Sequence, residues 1–270
     1  MTPRPKRSLG QNFLVDRDVG ARIVEEARVG PGETVMEIGP GKGALTEGLV
    51  RCVEEQKGRL ILVELDDELA TDLVGRFRGC PRVEVIHRNI LLVSPAEVTS
   101  YPADLKVIGN IPYNLTSPIL FHLLARPRPR EILLMIQKEV ADRILAEPGG
   151  KEYGALTISV RAIAGVERVL SVPAGAFRPR PSVDSTVVRL KPFWPTRLEM
   201  KEEVRLRDLT RAVFQWRRKQ LGKILRDHPD LRLTQDEVGR VLAASGVGRR
   251  DRPEAVDPLG FVAMARAISD

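Results

Sequence analysis

The stretch VMEIGPGKGALT, residues 35–46, decides the fold of this 270-residue chain. It begins as an apolar strand, passes through Gly39, Gly41 and Gly43, and continues with helical spacing. Glycine lets the backbone approach a ligand where a side chain would clash. The G-x-G-x-G spacing differs from the G-x-G-x-x-G of dinucleotide folds, and many α/β turns use glycine for backbone reasons alone. The context of the turn therefore has to decide its meaning.

Apolar strand patterns alternate with helical patterns around this turn. Five strands are expected, at residues 34–39, 59–66, 83–89, 105–111 and 131–137. Each is apolar on consecutive residues, as strands buried on both faces are. The alternation predicts βαβ units and a parallel, doubly wound sheet. Two further strands, at 167–173 and 185–191, are expected as a terminal, hairpin-like pair.

The pattern changes near residues 192–200, where Pro192 and Pro195 interrupt any continuing element. Beyond this linker only helices are predicted, at residues 202–220, 234–245 and 256–268. We therefore divide the chain into a Rossmann-like α/β domain with a basic N-terminal arm, residues 1–195, and a small all-helical C-terminal domain, residues 196–270.

Polar side chains stand at the ends of three successive predicted strands. Glu64 lies 21 residues after Gly43, where a carboxylate can accept both ribose hydroxyls. Asn89 ends the next strand, where an amide can pair with an adenine edge. This arrangement predicts an adenosine-containing ligand in one crevice. With Glu37 opening the glycine turn, it favours S-adenosylmethionine over a nicotinamide cofactor, and we place the neighbours Leu65 and Ile90 in the same site.

Asn110, Ile111, Pro112 and Tyr113 leave the fourth strand at the same edge of the sheet. The Asn110 oxygen and the Ile111 carbonyl can accept the two hydrogens of an exocyclic amine. Pro112 fixes the backbone, and Tyr113 offers a flat face for a planar base. Two acceptors stabilise the positive charge that develops on the amine during methyl transfer. The alternative is a proline turn with an asparagine cap on the next helix.

The charge of the chain is basic, with 43 Lys and Arg against 36 Asp and Glu, a net charge of +7. Basic side chains cluster in three segments, which favours a nucleic-acid partner over merely solvated faces. The candidate nucleic-acid contacts are Arg4, Lys6, Arg7, Arg178, Arg180, Arg217, Arg218, Lys219 and Lys223. Salt bridges are an equal alternative for Arg178 and Arg180.

The N-terminal arm contains SLGQNFL, residues 8–14, which combines polar and aromatic side chains. Gln11, Asn12 and Leu14 are expected in a lid that closes over the cofactor, since loops that carry function often gate sites. The alternative is plain packing.

No run approaches the ~18 apolar residues of a membrane helix, and the N-terminus has no apolar segment of a secretory signal. The only cysteines, Cys52 and Cys80, lack metal-ligand spacing, and three histidines are scattered. We expect a cytoplasmic protein with reduced thiols, without a bound metal or a membrane partner.

Blocks of sequence covering nearly the whole chain resemble the rRNA adenine N6,N6-dimethyltransferases, most closely the small-subunit (KsgA-type) enzymes. They occur in the family order: KRSLGQNFL (6–14), EIGPGKGALT (37–46), VELD (63–66), NIPYN (110–114), MIQKEVADRI (135–144), YGALTISV (153–160), VPAGAFRPRPSVDSTVVRL (172–190) and FQWRRKQL (214–221). The last of these resembles a basic helix of the C-terminal domain. One departure is Asn89, where the family usually has aspartate.

The resemblance implies transfer of four methyl groups from S-adenosylmethionine, without a metal, to two adjacent adenosines, leaving S-adenosylhomocysteine. The target lies in the 3′-terminal hairpin loop of small-subunit (16S) rRNA, presented by a precursor of the small ribosomal subunit. It also implies that Phe177 lines the target-base pocket, stacking opposite Tyr113. We expect a monomer. The rivals are a macrolide-resistance-type enzyme acting on large-subunit rRNA and a non-enzymatic nucleic-acid-binding factor of the same fold.

Overall fold

The structure is a computed structural model, which describes Lys6 and residues 10–268. The chain forms two compact units. The first runs up to Ala141 and includes Glu167–Pro192; the second combines Asp142–Val166 with the residues from Phe193 onward. The sequence-based division at residue 195 assigned 142–166 to the first domain. The structure differs because Tyr153, Ile158 and Ala162 share a core with the C-terminal helices.

The described residues form nine strands, of which seven build one sheet in the order β4-β3-β2-β5-β6-β9-β7. Their bounds are β1 Phe13–Leu14, β2 Thr34–Ile38, β3 Arg59–Glu64, β4 Val83–His87, β5 Lys106–Asn110, β6 Glu131–Gln137, β7 Ala164–Val172, β8 Phe177–Arg178 and β9 Ser185–Pro192. Strands β2 to β6 are mutually parallel, as predicted. Strands β7 and β9 lie side by side at one edge, with β9 antiparallel to β6.

Eleven α-helices accompany these strands in the described part of the chain. They are α1 Arg17–Glu26, α2 Thr46–Glu55, α3 Asp67–Phe77, α4 Pro95–Val98, α5 Thr116–Leu124, α6 Lys138–Leu145, α7 Ala155–Arg161, α8 Met200–Gln215, α9 Leu221–Asp227, α10 Gln235–Ser245 and α11 Pro258–Ala267. The central strands β2 and β3 are apolar and almost wholly buried, which is why they read as continuous apolar runs. Their carboxyl ends open into one crevice.

The helical unit has its own core, formed by apolar side chains of α8 to α11 with α7. The predicted helix 202–220 is wrong at its end, because α8 stops at Gln215 and α9 begins only at Leu221. Trp216 leaves the helical region at φ −108° and ψ 31°, and its ring packs 4.9 Å from the buried His228 ring. FQWRRKQL is therefore a helix end, a turn and a helix start. Thr234 and Glu237 form the expected capping box of α10.

Among the described residues, none of the helices has the length and apolar character that crossing a membrane requires.

Candidate active site

A cavity lies at the carboxyl ends of β2, β3, β4 and β5, closed on one side by the N-terminal segment Gly10–Leu14. Most of the predicted cofactor and target residues line it: Gln11, Asn12, Leu14, Glu37, Gly39, Gly41, Glu64, Leu65, Asn89, Ile90, Asn110, Ile111, Pro112 and Tyr113. Gly43 and Phe177 do not line it. The strand ends therefore converge as their order in the sheet predicts.

The glycine turn takes a backbone path that other residues rarely adopt. Gly39, Gly41 and Gly43 have φ angles of 62°, 58° and 87°, in the left-handed region that favours glycine. A Cβ on Gly41 would lie 3.2 Å from the Phe13 ring, and one on Gly43 would lie 2.9 Å from the Arg76 guanidinium. A side chain at Gly43 is therefore excluded by the backbone conformation of the turn and by the nearby Arg76 side chain. Gly43 does not line the cavity.

Glu64 is held by the backbone on three sides. One carboxylate oxygen accepts a hydrogen bond from Gly41 N at 3.0 Å. The other accepts from Leu65 N at 2.8 Å and Asp66 N at 2.9 Å. A carboxylate offers about four acceptor sites, and three are used here, so Glu64 keeps about one site for a ribose hydroxyl while its geometry is fixed. Glu64 lines the cavity, and its contact with a ribose stays a prediction.

Glu37 is the buried acid of the cavity. Its side chain is 2% exposed, and Oε2 has no hydrogen-bond partner among the described residues. Burial raises the pKa of Glu37 to about 8, with the Glu64 carboxylate adding to the rise and Thr46 and Arg76 opposing it. An orphaned buried carboxyl is costly unless a ligand compensates it. The residues of the cavity therefore fit a cofactor that carries positive charge.

Asn89 caps the 3₁₀ turn Ile90–Leu92 that follows β4. Its Oδ1 accepts a hydrogen bond from Leu91 N at 3.0 Å. This bond engages the amide oxygen, so the Nδ2 group is the end that suits an acceptor ring nitrogen of an adenine. The asparagine thus supports both a backbone cap and a place in the cavity wall.

Asn110 is oriented by the N-terminal segment. Its Nδ2 donates to the Asn12 carbonyl over 3.1 Å. The amide oxygen is therefore the end left to accept a hydrogen bond, as the target-amine interpretation requires. Pro112 follows in an extended conformation, at φ −58° and ψ 135°, and α5 begins three residues after Tyr113 without a side-chain cap. The asparagine-cap alternative does not describe Asn110.

Tyr113 is partly buried, and its hydroxyl lies 2.7 Å from Ser185 Oγ. Burial raises the pKa of Tyr113, with the hydrogen bond to Ser185 opposing the rise. The ring is therefore neutral at physiological pH, and its hydroxyl is held by Ser185. Ser185 was not foreseen from the sequence, because no local spacing links it to a tyrosine 72 positions earlier.

Phe177 corrects the expected stacking pair. Its side chain is 0% exposed, and it belongs to the core cluster with Leu14 and Val187. It pairs with Leu14 across the short β1–β8 ladder. The ring is therefore a core side chain beside the N-terminal strand, and Phe177 is not among the residues that line the cavity.

The predicted RNA contacts fall into distinct groups. Lys6 binds Asp66 over 3.0 Å, and Arg217 donates to the Lys151 carbonyl and to Glu254. These contacts engage both cations within the protein, so we no longer expect them to bind phosphate. Arg178 is exposed but donates to the Phe177 carbonyl. The remaining described candidates, Arg180, Arg218, Lys219 and Lys223, are exposed; Arg4 and Arg7 lie outside the described residues.

Asp66 is a site residue that the sequence analysis missed. It caps α3 by accepting hydrogen bonds from Glu68 N and Leu69 N, and it also binds Gln11 and Lys6. An aspartate directly before a helical pattern is an N-cap signal, which identifies the cap but not the N-terminal contact. In the part of the chain that is described, no three His, Cys, Asp or Glu side chains are grouped as metal ligands.

A Rossmann-like sheet with a glycine turn, a backbone-held acid and an oriented amide at its carboxyl edge defines an S-adenosylmethionine-dependent type of methyltransferase. The sequence model described as ribosomal RNA adenine dimethylase matches residues 3–245. A ribosomal RNA small subunit methyltransferase A of Geobacter metallireducens is 40% identical over 271 residues, covering 98% of this chain and 96% of the relative. The chain belongs to the ribosomal RNA adenine dimethylase family.

Two solved structures share the fold over nearly the full length. A dimethyladenosine transferase from Plasmodium falciparum superposes with a TM-score of 0.77 at 25% identity, covering 93% of this chain and 95% of that one. The 23S rRNA methyltransferase ErmE gives a TM-score of 0.71 at 28% identity, covering 95% and 99%. The likeness includes the helical C-terminal part.

Proposed function

We propose that this protein dimethylates the N6 amines of two adjacent adenosines in the 3′-terminal hairpin loop of small-subunit (16S) rRNA, using S-adenosylmethionine. The observation that carries the proposal is the Asn110 amide, whose donor end is bound by the Asn12 carbonyl at 3.1 Å beside the glycine-turn cavity. The amide oxygen is thereby the acceptor end. The name of the Geobacter metallireducens relative supports the small subunit as substrate.

Different cavity residues are assigned to different parts of the cofactor. Glu64 would hold the ribose, Asn89 with Ile90 the adenine, and Glu37 with the glycine turn the charged methionine end. When bound, S-adenosylmethionine supplies an electrophilic methyl group and leaves as S-adenosylhomocysteine. The protein contributes position and electrostatics, which account for the large effects in such transfers.

The target amine is a weak nucleophile because its lone pair is delocalised into the ring. Asn110 Oδ1 and the Ile111 carbonyl accept its hydrogens, which favours a more tetrahedral nitrogen and stabilises the positive charge that develops there. Tyr113 supports one face of the base. The adenosine has to leave its stack, at a cost of a few kcal/mol that is smallest for an unpaired base, so a loop adenosine is the favoured target.

The proposed substrate particle is a precursor of the small subunit, acted on by a monomer in the cytoplasm. Arg180, Arg218, Lys219 and Lys223 are exposed cations that suit an RNA backbone. Such contacts position a protein on RNA without reading its sequence.

The test is to incubate the protein with labelled S-adenosylmethionine and, separately, undermethylated small subunits, large subunits and naked rRNA. We expect dimethyladenosine only in small-subunit particles. Label in large-subunit RNA would place the protein among the resistance-type enzymes. Tight small-subunit binding without label would make it a non-enzymatic assembly factor.

The Tyr113–Ser185 hydrogen bond yields a prediction about the base pocket. Replacing Ser185 with Ala frees the Tyr113 hydroxyl, so the ring loses its fixed angle beneath the base. We expect kcat for small-subunit methylation to fall about tenfold, below the 10² loss of a full misplacement. Ser171→Ala, an exposed serine on β7, is the matched control and should leave kcat unchanged. Equal kcat values in both variants would show that Ser185 does not position the Tyr113 ring for methyl transfer.

A further inference from the structure

An asparagine beside the target amine can adopt two amide orientations, and only one of them presents the acceptor oxygen, whereas both ends of a carboxylate are acceptors. Its side chain has one acceptor end and one donor end of nearly the same shape. A half-turn of the amide would present Nδ2 hydrogens to the hydrogens of the target amine. The proposed reaction therefore depends on a group that selects one of two amide orientations.

The selecting group is the Asn12 backbone carbonyl, which accepts from Asn110 Nδ2 at 3.1 Å. A carbonyl has no hydrogen to donate, so only the orientation with Oδ1 turned away from it makes this bond. The two residues are 98 positions apart. The orientation of Asn110 thus depends on where the N-terminal segment Gly10–Asn12 lies.

Asp66 anchors that segment. Its Oδ2 accepts from Gln11 Nε2 at 3.1 Å, and its Oδ1 accepts from Lys6 Nζ at 3.0 Å. Lys6 N in turn donates to Gln11 Oε1 at 2.8 Å. Although burial opposes ionisation, the hydrogen bonds from Lys6 and Gln11 hold the pKa of Asp66 below its usual value. Asp66 is itself fixed as the N-cap of α3, so the anchor is rigid.

The other side of the segment lies against the loop after β5. Gly10 has φ +63°, and a Cβ there would lie 2.8 Å from Asn114 Oδ1 and 3.6 Å from Pro112 Cβ. Only glycine allows this approach without strain. The segment therefore spans from the start of α3, beside Glu64, to the loop that directly follows Asn110.

We propose that Asp66 is a positioning residue for methyl transfer: it ties down Gly10–Asn12, whose Asn12 carbonyl selects the productive orientation of the Asn110 amide. This inference rests on the proposed function for its catalytic meaning. It gives the N-terminal segment a second role besides covering the cofactor. Loosening the anchor lowers turnover even when the glycine turn and Glu64 are intact.

Two single variants break the anchor in different ways. Asp66→Ser keeps an N-cap for α3, since serine caps as well as aspartate, but it is too short to hold Gln11 and Lys6. Gln11→Glu replaces the donor to Asp66 with a second carboxylate. The double variant Gln11→Glu/Asp66→Asn exchanges donor and acceptor, keeps a capping oxygen and leaves a carboxylate near Lys6. Asp257→Ser, the N-cap of α11 in the helical unit, is the matched control.

The direct measurement is hydrogen exchange of the Asn110 side-chain amide by ¹⁵N NMR on the full chain, with the signal assigned by its loss in Asn110→Asp. In Asp66→Ser and Gln11→Glu we expect amide exchange to become about tenfold faster and kcat to fall about tenfold. This is the scale of one net hydrogen bond. In the exchanged double variant both should return towards wild type. Asp257→Ser should match wild type throughout.

Unchanged amide exchange in Asp66→Ser, or a double variant no better than the singles, would overturn the inference. The NMR result does not require methylation. A protein that fails to methylate small subunits but shows the expected exchange pattern would therefore contradict the proposed function and leave the orientation by Asp66 standing.

Discussion

Asn110→Ala is expected to lower kcat for small-subunit methylation by about 10² to 10³, the loss seen when one preorganised polar contact to developing charge is removed. The alanine takes away the only side-chain acceptor that the account assigns to the target amine. It also frees the Asn12 carbonyl from its 3.1 Å hydrogen bond. The measurement is single-turnover methylation at saturating S-adenosylmethionine.

Binding and a second substitution separate this loss from a general defect. Calorimetry should show cofactor affinity within a few-fold of wild type, because Glu37, Glu64 and Asn89 remain. Asn110→Asp keeps an acceptor but sets a carboxylate against the Asn12 carbonyl, so its kcat should lie between those of wild type and alanine. An alanine variant within tenfold of wild type would exclude Asn110 as the main acceptor.

Glu37→Gln should stabilise the free protein at alkaline pH. Burial raises the pKa of Glu37 to about 8 in the folded chain, well above the 4.5 of an exposed glutamate. A raised carboxyl pKa makes folding stability fullest below the unfolded pKa and weaker as pH rises towards 8. Glutamine is neutral at every pH, so this decline disappears. We expect a gain on the order of 4 kcal/mol at pH 8, or roughly 8–16 °C in Tm, and a much smaller difference at pH 5.

The same substitution should weaken S-adenosylmethionine binding, because an ionised Glu37 can balance the positive charge of the cofactor and glutamine cannot. The glutamate at position 37 would then lower the stability of the free protein while strengthening cofactor binding. Glu55→Gln, at an exposed glutamate of α2, controls for the loss of a negative charge. A Tm difference between Glu37→Gln and wild type that stays constant from pH 5 to pH 8 would contradict the raised pKa.

The parallel sheet was predictable because burial on both faces leaves largely apolar runs in β2, β3, β5 and β6. The edge strand β4 is only partly buried. Shorter elements leave no such signal: β1 and β8 are two residues each. Helix α1 was missed although Asp16 caps it. Gly20 of this helix packs closely against the backbone, since a Cβ there would lie 3.1 Å from the Ala44 carbonyl oxygen. Glycine has a low helix propensity, so it weakens the local helical pattern.

The residues of the candidate site likewise fall into those that the sequence pattern predicts and those that depend on long-range contacts. Glu64, Asn89 and Asn110 were identified because strand order alone brings the ends of parallel strands together. The contacts of Ser185 with Tyr113 and of Gln11 with Asp66 join residues 72 and 55 positions apart, and no spacing rule encodes them. Phe177 was expected in the base pocket because a motif identifies a neighbourhood, whereas its pairing with Leu14 in the β1–β8 ladder and its place in the core cluster depend on contacts that the motif does not encode.

The proposed dimethylation is tested by counting the methyl groups transferred per undermethylated small subunit at completion and locating them in nuclease fragments of the rRNA by mass spectrometry. We expect four methyl groups, all in one 3′-terminal fragment that carries two adjacent N6,N6-dimethyladenosines. A plateau at two methyl groups on a single adenosine, or methyl groups in any other fragment, would contradict it.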